Sequence, residues 1–301
     1  MDFTYDWSLP TLLALAYVAV HACFLLAARH PPPQRGRWLA ADLLLAAGLS
    51  GLLWYGYGTS PGGRPLHPFL RLWGPVIFYW WAYTWAGRVL FVFHASHRSW
   101  DGALIRWEGR LLGQPSLWMA RYGGRPGVEI MQISYASYYL YTPVIGAALH
   151  LRGRFEAFEA MSFAVLLGYL VSYSCYSLMP VWGPRWGLVK EGLLEERNQL
   201  MRGYAVTAAL NRLMYGGLAH KGGAMPSGHA STAVIFAVWC GRLWGWEGLA
   251  AGWLIALAMM LASIYGRYHY VADVAAGALL GWLSLLCADA LFPHAALVAA
   301  S

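Results

Sequence analysis

Apolar segments about 20 residues long recur along this 301-residue chain, and no other feature limits its fold so tightly. Each is long enough to cross the hydrocarbon core of a bilayer as a helix. Hydropathy places about eight of them, near 9–28, 38–58, 74–95, 128–150, 157–181, 228–244, 248–266 and 271–292. In lipid, backbone polar groups must be paired within the segment. The expected fold class is therefore all-α, a polytopic membrane helical bundle of about eight transmembrane helices with interfacial helices. Composition agrees: 59% of residues are hydrophobic and 12% charged, against about 25% charged in a soluble domain. The loops leave no room for a separate soluble domain, so 1–301 reads as a single integral membrane domain. The leader MDFTYDWS carries no basic residue and no clear cleavage site, which makes the first segment a retained span rather than a signal peptide.

Cys23, Cys175, Cys240 and Cys287 fall inside these segments without paired spacing, so neither a disulfide framework nor a zinc site is expected. The net charge of +7 is scattered through short loops. Anionic lipid headgroups, not nucleic acid, are its expected counterpart.

Three polar clusters interrupt the apolar pattern. GGAMPSGHASTAV, Gly222 to Val234, puts Ser227, Gly228 and His229 at the mouth of one segment. SIYGRYHYVADVAAG, Ser263 to Gly277, follows with Arg267, His269 and Asp273. The two histidines are 40 residues apart, about two spans plus a turn, which returns His269 to the membrane face that holds His229. Between Trp186 and Met225 no span fits. An amphipathic interfacial helix is expected around LLEERNQLMRGYAVTAALNRLM, so YSLMPVWGPRWG with Arg185 opens on the same face.

The chemistry of the clusters is complementary. His269 and Asp273, spaced i, i+4 at a helix start, share a face, so the carboxylate orients the imidazole. Arg185 and Arg267 offer planar charged donors suited to phosphate oxygens. Ser227 and Gly228 open a helix whose free N–H groups favour an anion, and His229 is placed to give a proton to a leaving oxygen. These parts describe phosphoryl transfer through a phosphohistidine. No cofactor and no metal are needed, because cationic side chains and backbone dipoles stabilise the phosphate charge. The bland alternatives are an aromatic belt for the GRYHY stretch, a topology anchor for Arg267 and a simple helix start at Pro226-Ser227. A carboxylate inside a membrane segment, as at Asp273, is harder to treat that way.

PSGH followed by H-x-x-x-D resembles the type 2 phosphatidic acid phosphatase superfamily of lipid phosphatases and phosphotransferases. The resemblance covers about 155–285 with specific motifs, the catalytic core, and the earlier helices more loosely. It implies His269 as nucleophile, Asp273 as its orienting carboxylate, His229 as general acid, and Ser227 and Gly228 as phosphate ligands. It also implies a phospholipid substrate and a lipid alcohol or water as acceptor. Two departures stand out: Ser263 occupies the position where the common motif has arginine, and PVWGPR ending in Arg185 replaces the lysine-bearing first motif. Both are similar to the branch of inositol phosphorylceramide synthases and their bacterial relatives, which implies a sphingolipid-type phosphotransferase in a bacterial cytoplasmic membrane. No motif assigns a phosphate-binding lysine; Lys190 and Lys221 are the candidates.

Elsewhere, Glu129, Gln132, Tyr135 and Tyr139 form a candidate headgroup pocket or an interhelical hydrogen-bond set. Asp42 and Arg88 read as structural partners, and SWDGALIRWEGRLLG, 99–113, as an interfacial helix. Other function classes remain. A proton-coupled membrane transporter also uses His, Arg and Asp within helices, but the repeated halves expected of it are not found. An intramembrane serine protease built on Ser227 leaves Asp273, Arg267 and Arg185 unexplained. A haem protein ligated by His229 and His269 would declare itself in an absorption spectrum.

Orientation divides the indications. Fifteen basic residues lie on the active-site side, from Arg29, Arg35 and Arg37 to Arg267, against Arg64, Arg71, Arg152, Arg154 and Arg242 opposite. By the positive-inside rule that puts the site in the cytoplasm, whereas the resemblance implies an extracytoplasmic site. Following the resemblance, a cysteine introduced at Gly36 or Arg110, with the native cysteines replaced, is labelled by an impermeant thiol reagent on intact cells. Labelling only after lysis places the site in the cytoplasm.

Overall fold

The computed structural model describes residues 8–58, 66–95, 98–213, 220–293 and 295. Leader residues 1–7 and Arg64 lie outside the described residues, as do residues 214–219 near the end of the expected interfacial helix. In chain order the helices are α1 (Leu9–Leu26), α2 (Arg35–Gly58), α3 (Leu66–Ala86), α4 (Asp101–Leu112), α5 (Pro115–Trp118) and α6 (Gly124–Ala136). They continue as α7 (Tyr138–Leu151), α8 (Phe155–Leu178), α9 (Pro184–Lys190), α10 (Ala205–Leu213), α11 (Gly228–Tyr265) and α12 (Val271–Leu291). Among the described residues no strand forms; isolated bridges join Val181 to Gly222 and Gly223.

Five of these helices, α1, α2, α8, α11 and α12, are long and apolar enough to cross a membrane. Among the described residues the count of about eight is not reached, and the expected segments differ from the helices at three places. The 38-residue α11 holds two of them, because Trp244 and Gly245 leave helical geometry, Gly245 at φ +68°. The chain folds back there: a Cβ on Gly252 would lie 2.9 Å from the Cα of Ala237, fifteen residues earlier. A straight helix would separate the two by about 22 Å. The segment 128–150 divides at Ser137 into α6 and α7. There the Ser134 and Ser137 hydroxyls bond nearby carbonyls in competition with the helix ladder. The third segment, expected at 74–95, is helical as α3 only to Ala86, and residues 87–94 form turns and bends.

The interfacial helix expected across the 193–214 stretch is helical only as α10. Before it the chain turns through a short 3-10 segment, Glu196–Asn198. α4 forms where the amphipathic pattern places it, with Asp101, Ile105 and Glu108 buried and Trp107 and Leu111 exposed.

The hub is α8, buried nearly all round as befits a helix with no polar face. α1, α3, α7, α11 and α12 pack on it. Several polar residues in the bundle pair across helices. Arg71 of α3 forks onto Glu159 of α8 at 2.6 and 3.1 Å. Asp42 takes His21 (2.8 Å) and the Trp85 indole (2.5 Å) as partners, while Arg88 stacks between Trp38 and Trp85. Small residues bring α11 and α12 into backbone contact, the usual way membrane helices approach closely. A Cβ on Gly277 would meet the Ser227 carbonyl oxygen, and one on Gly281 that of Ser231, both at under 2.5 Å.

Gly277→Val therefore wedges α11 from α12 and lowers stability by about 1–3 kcal/mol. Leu279→Val, on the exposed face two residues away, changes it by less than about 0.5 kcal/mol. Thermal unfolding in detergent measures both; equal effects would mean that the close approach does not hold the two helices.

Candidate active site

Backbone hydrogen bonds stitch the three polar segments together. Ser227 N–H donates to the Asp273 carbonyl at 3.0 Å, Arg185 N–H to that of Arg267 at 3.0 Å, and Ala224 N–H to that of Val181 at 3.0 Å. Gly183, at φ +88°, lets the first loop pass so close to the third that a Cβ there would sit 2.7 Å from the Tyr268 carbonyl oxygen. Only glycine takes that conformation without strain.

The side chains so gathered form a row. His269 Nδ1 lies 3.5 Å from Asp273 Oδ2, and His269 Nε2 lies 3.2 Å from His229 Nδ1. His229 Nε2 meets the Tyr135 hydroxyl at 3.0 Å. An ionised carboxylate only accepts, so its imidazole neighbour carries a proton on Nδ1, which leaves Nε2 of His269 with its lone pair. His229 then donates from Nδ1 and accepts the Tyr135 O–H at Nε2. The Asp273–His269 contact is longer than a good hydrogen bond, a slack common in catalytic pairs before substrate binds. Asp273 Oδ2 also accepts from Tyr270 N–H at 2.9 Å, which fixes the carboxylate at the start of α12. The row thus has a nucleophilic nitrogen at its centre and a proton carrier beside it.

A cavity of about 260 Å³ opens on this row. Its wall is aromatic, with tyrosines from α3, α6, α7 and α8 together with Trp182 and Trp186, and both imidazoles and Arg185 reach it. Arg185 is 2% exposed, and its Nε and Nη1 have no hydrogen-bond partner among the described residues. Its guanidinium lies over the Tyr268 ring at 4.5 Å. Buried donors left without acceptors are costly, so this geometry suits an anion placed against Arg185 beside His269. Arg267 lines the cavity but is bound to the carbonyls of Ser116 (3.3 Å) and Asn198 (2.5 Å). Burial, and then the neighbouring Arg185 charge, lower its pKa.

The other sequence candidates are distributed unevenly. Gly228 lines the cavity, whereas Ser227 is fully buried and its hydroxyl caps α11 by accepting from Ala230 N–H at 3.2 Å. Tyr139 reaches the cavity beside Tyr135, and Gln132 stands behind, accepting from the Tyr268 hydroxyl at 2.7 Å. Glu129 is elsewhere: it takes the Tyr204, Val206 and Thr207 N–H groups and the Thr207 hydroxyl, capping α10. Lys190 and Lys221 lie over the Trp182 ring at 4.5 and 4.0 Å, at the margin of the site. Among the described residues no three His, Cys, Asp or Glu side chains gather to hold a metal ion.

Three polar groups at the site escape the motif reading. His220 lines the cavity, packed on the Tyr83 ring, and its buried Nε2 has no partner among the described residues. Asp101 and Glu108 of α4 reach the catalytic loops from outside the motifs. Glu108 accepts from Val271 N–H; burial first, and then Asp273, push its carboxyl up to about 7 against the pull of that bond. The signal for both was present as two acids seven residues apart on one face of an amphipathic helix, where apolar residues are expected.

A scan against protein families matches residues 102–287 to the PAP2 superfamily. No curated protein and no solved structure matches.

Arg185→Gln removes the charge and leaves a shorter polar side chain. Vanadate affinity, measured by calorimetry in detergent, falls by roughly 10- to 150-fold, the loss of about 1.5–3 kcal/mol from a charged hydrogen bond. An unchanged affinity would mean that Arg185 does not meet the anion.

Proposed function

The chain belongs to the PAP2 superfamily, and on that premise we propose that it moves a phosphorus-bearing headgroup from a membrane phospholipid onto a lipid alcohol. The observation that carries this reading is the row Asp273–His269–His229, spaced at 3.5 and 3.2 Å and opening on the cavity that holds the unpaired Arg185 nitrogens. Five apolar helices suit a protein that takes its substrate from the bilayer.

In the first step His269 Nε2 attacks phosphorus. The P–N bond forms as the bond from phosphorus to the lipid oxygen breaks, and His229 protonates that oxygen. Asp273 holds the Nδ1 proton and stabilises the charge that builds on the ring. Arg185 neutralises the equatorial oxygens. In the second step an acceptor hydroxyl, its proton passing to His229, attacks phosphorus and breaks the P–N bond, which regenerates both imidazoles. Before the first step His229 must carry two protons; Tyr135, whose oxygen also accepts, suits that state.

The acceptor decides between transferase and hydrolase. PVWGPR and RYHYVAD, with their likeness to inositol phosphorylceramide synthases, favour an alcohol acceptor and an inositol-phosphate-like group. The phosphatase reading uses the same residues with water, and the superfamily's lipid phosphatases favour it. By the same likeness the site faces away from the cytoplasm.

His269→Ala abolishes turnover of labelled phospholipid while the protein still inserts and folds, and Asp273→Asn lowers it by about 10²- to 10⁴-fold. Retained activity in His269→Ala would sink the mechanism. Adding candidate alcohols to the wild-type reaction moves label onto them; label released at the same rate whatever alcohol is present makes the enzyme a hydrolase.

A further inference from the structure

We propose that α4 is a strap that sets the phosphate-binding arginine against the nucleophile, with Asp101 and Glu108 as positioning residues; this rests on the roles proposed for Arg185 and His269. The two carboxylates stand seven residues, two helical turns or about 10 Å, apart on one face. Asp101 is wholly buried and holds the first motif loop: Oδ2 accepts from Trp182 N–H at 2.8 Å and Oδ1 from Gly183 N–H at 3.0 Å. Those two residues immediately precede Pro184 and Arg185. Its Oδ1 also takes the Tyr270 hydroxyl at 2.9 Å, a residue next to His269. Glu108, 1% exposed, accepts from Val271 N–H, the first residue of α12, two positions before Asp273.

Burying two carboxylates is costly unless they are paired. Among the described residues neither meets a Lys or Arg at ion-pair distance, whereas Arg71–Glu159 and Arg242–Asp289 elsewhere in the bundle do pair. The donors that satisfy Asp101 and Glu108 are N–H and O–H groups of the loops that present Arg185, His269 and Asp273. A helix needed only for packing would fill this face with apolar residues, as it does at Ile105. One rigid element therefore fixes two loops that are otherwise distant in sequence.

Both acids reach the loop of His269, but only Asp101 holds the loop of Arg185, so their variants separate at Arg185. Asn at position 101 has one acceptor oxygen, which cannot reproduce both carboxylate oxygens, so Asp101→Asn displaces Arg185. It raises KM and weakens vanadate binding by about 10- to 100-fold with a smaller change in kcat, the scale expected of a small misplacement. Glu108→Ala acts on His269 and Asp273, lowering kcat by about 10- to 100-fold with KM little changed. Glu108→Gln, whose amide oxygen still accepts from Val271, recovers most of that loss. If Asp101→Asn fails to fold, Tyr270→Phe removes one of its donors beside His269 and lowers kcat and vanadate affinity together.

Steady-state kinetics on phospholipid and vanadate calorimetry, on full-length variants that melt like wild type, read these effects. Wild-type kcat, KM and vanadate affinity in both Asp101→Asn and Glu108→Ala would overturn the strap, as would equal losses of kcat and KM in both. A wild-type protein inactive on every phospholipid refutes the proposed function instead. Vanadate affinity, weakened by Asp101→Asn and spared by Glu108→Ala, still reads the strap in that case.

Discussion

A polar loop at the end of an apolar bundle has little water to bond with, so its backbone groups must find partners in the protein. Here the partners are one another. The Ser227-to-Asp273 and Arg185-to-Arg267 backbone bonds join segments up to 82 residues apart, and they hold the two histidines in contact. Helix ends that were merely close would leave the imidazoles free to part. Stitched ends leave them one arrangement, with the Gly277 and Gly281 contacts drawing α11 and α12 together beneath it.

The aromatic wall follows from the same need. Tyrosine and tryptophan bury large surfaces and keep a polar tip for a partner. Tyr135 stacks on Tyr268 at 4.0 Å while its hydroxyl meets His229, and Tyr268 in turn bonds Gln132. The cavity therefore excludes water along most of its surface but presents imidazole and guanidinium groups at one end. Charge is worth more in such surroundings than in bulk water, which favours both anion capture by Arg185 and stabilisation of the charge that moves during transfer.

Much of this was legible in the chain. Forty residues between His229 and His269 is the length of a hairpin of two membrane helices, and α11 reverses at Gly245 as that spacing requires. PVWGPR could be placed on the same face because the polar stretch after it cannot span. What hydropathy missed was set by local chemistry. A break at Ser137, where serine hydroxyls bond the backbone, divides one apolar run into α6 and α7. Glu129 read by helical spacing as either a pocket residue or part of an interhelical hydrogen-bond set; its carboxylate bonds across to α10, because three N–H groups lie within its reach and spacing alone does not reveal them. Ser227 keeps its hydroxyl for the cap of its own helix. Asp101 and Glu108 carry no motif; two acids on the apolar face of an amphipathic helix are their one mark in the sequence, and burial shows that they face inward.

The central claim is that His269 carries the phosphorus group between donor and acceptor. Rapid quenching of the enzyme during turnover of phospholipid labelled in its headgroup phosphate, followed by peptide mapping, tests it directly. The account predicts acid-labile, base-stable label on the peptide containing His269, absent from His269→Ala. Label on Ser227, or active enzyme that never carries label, would contradict it.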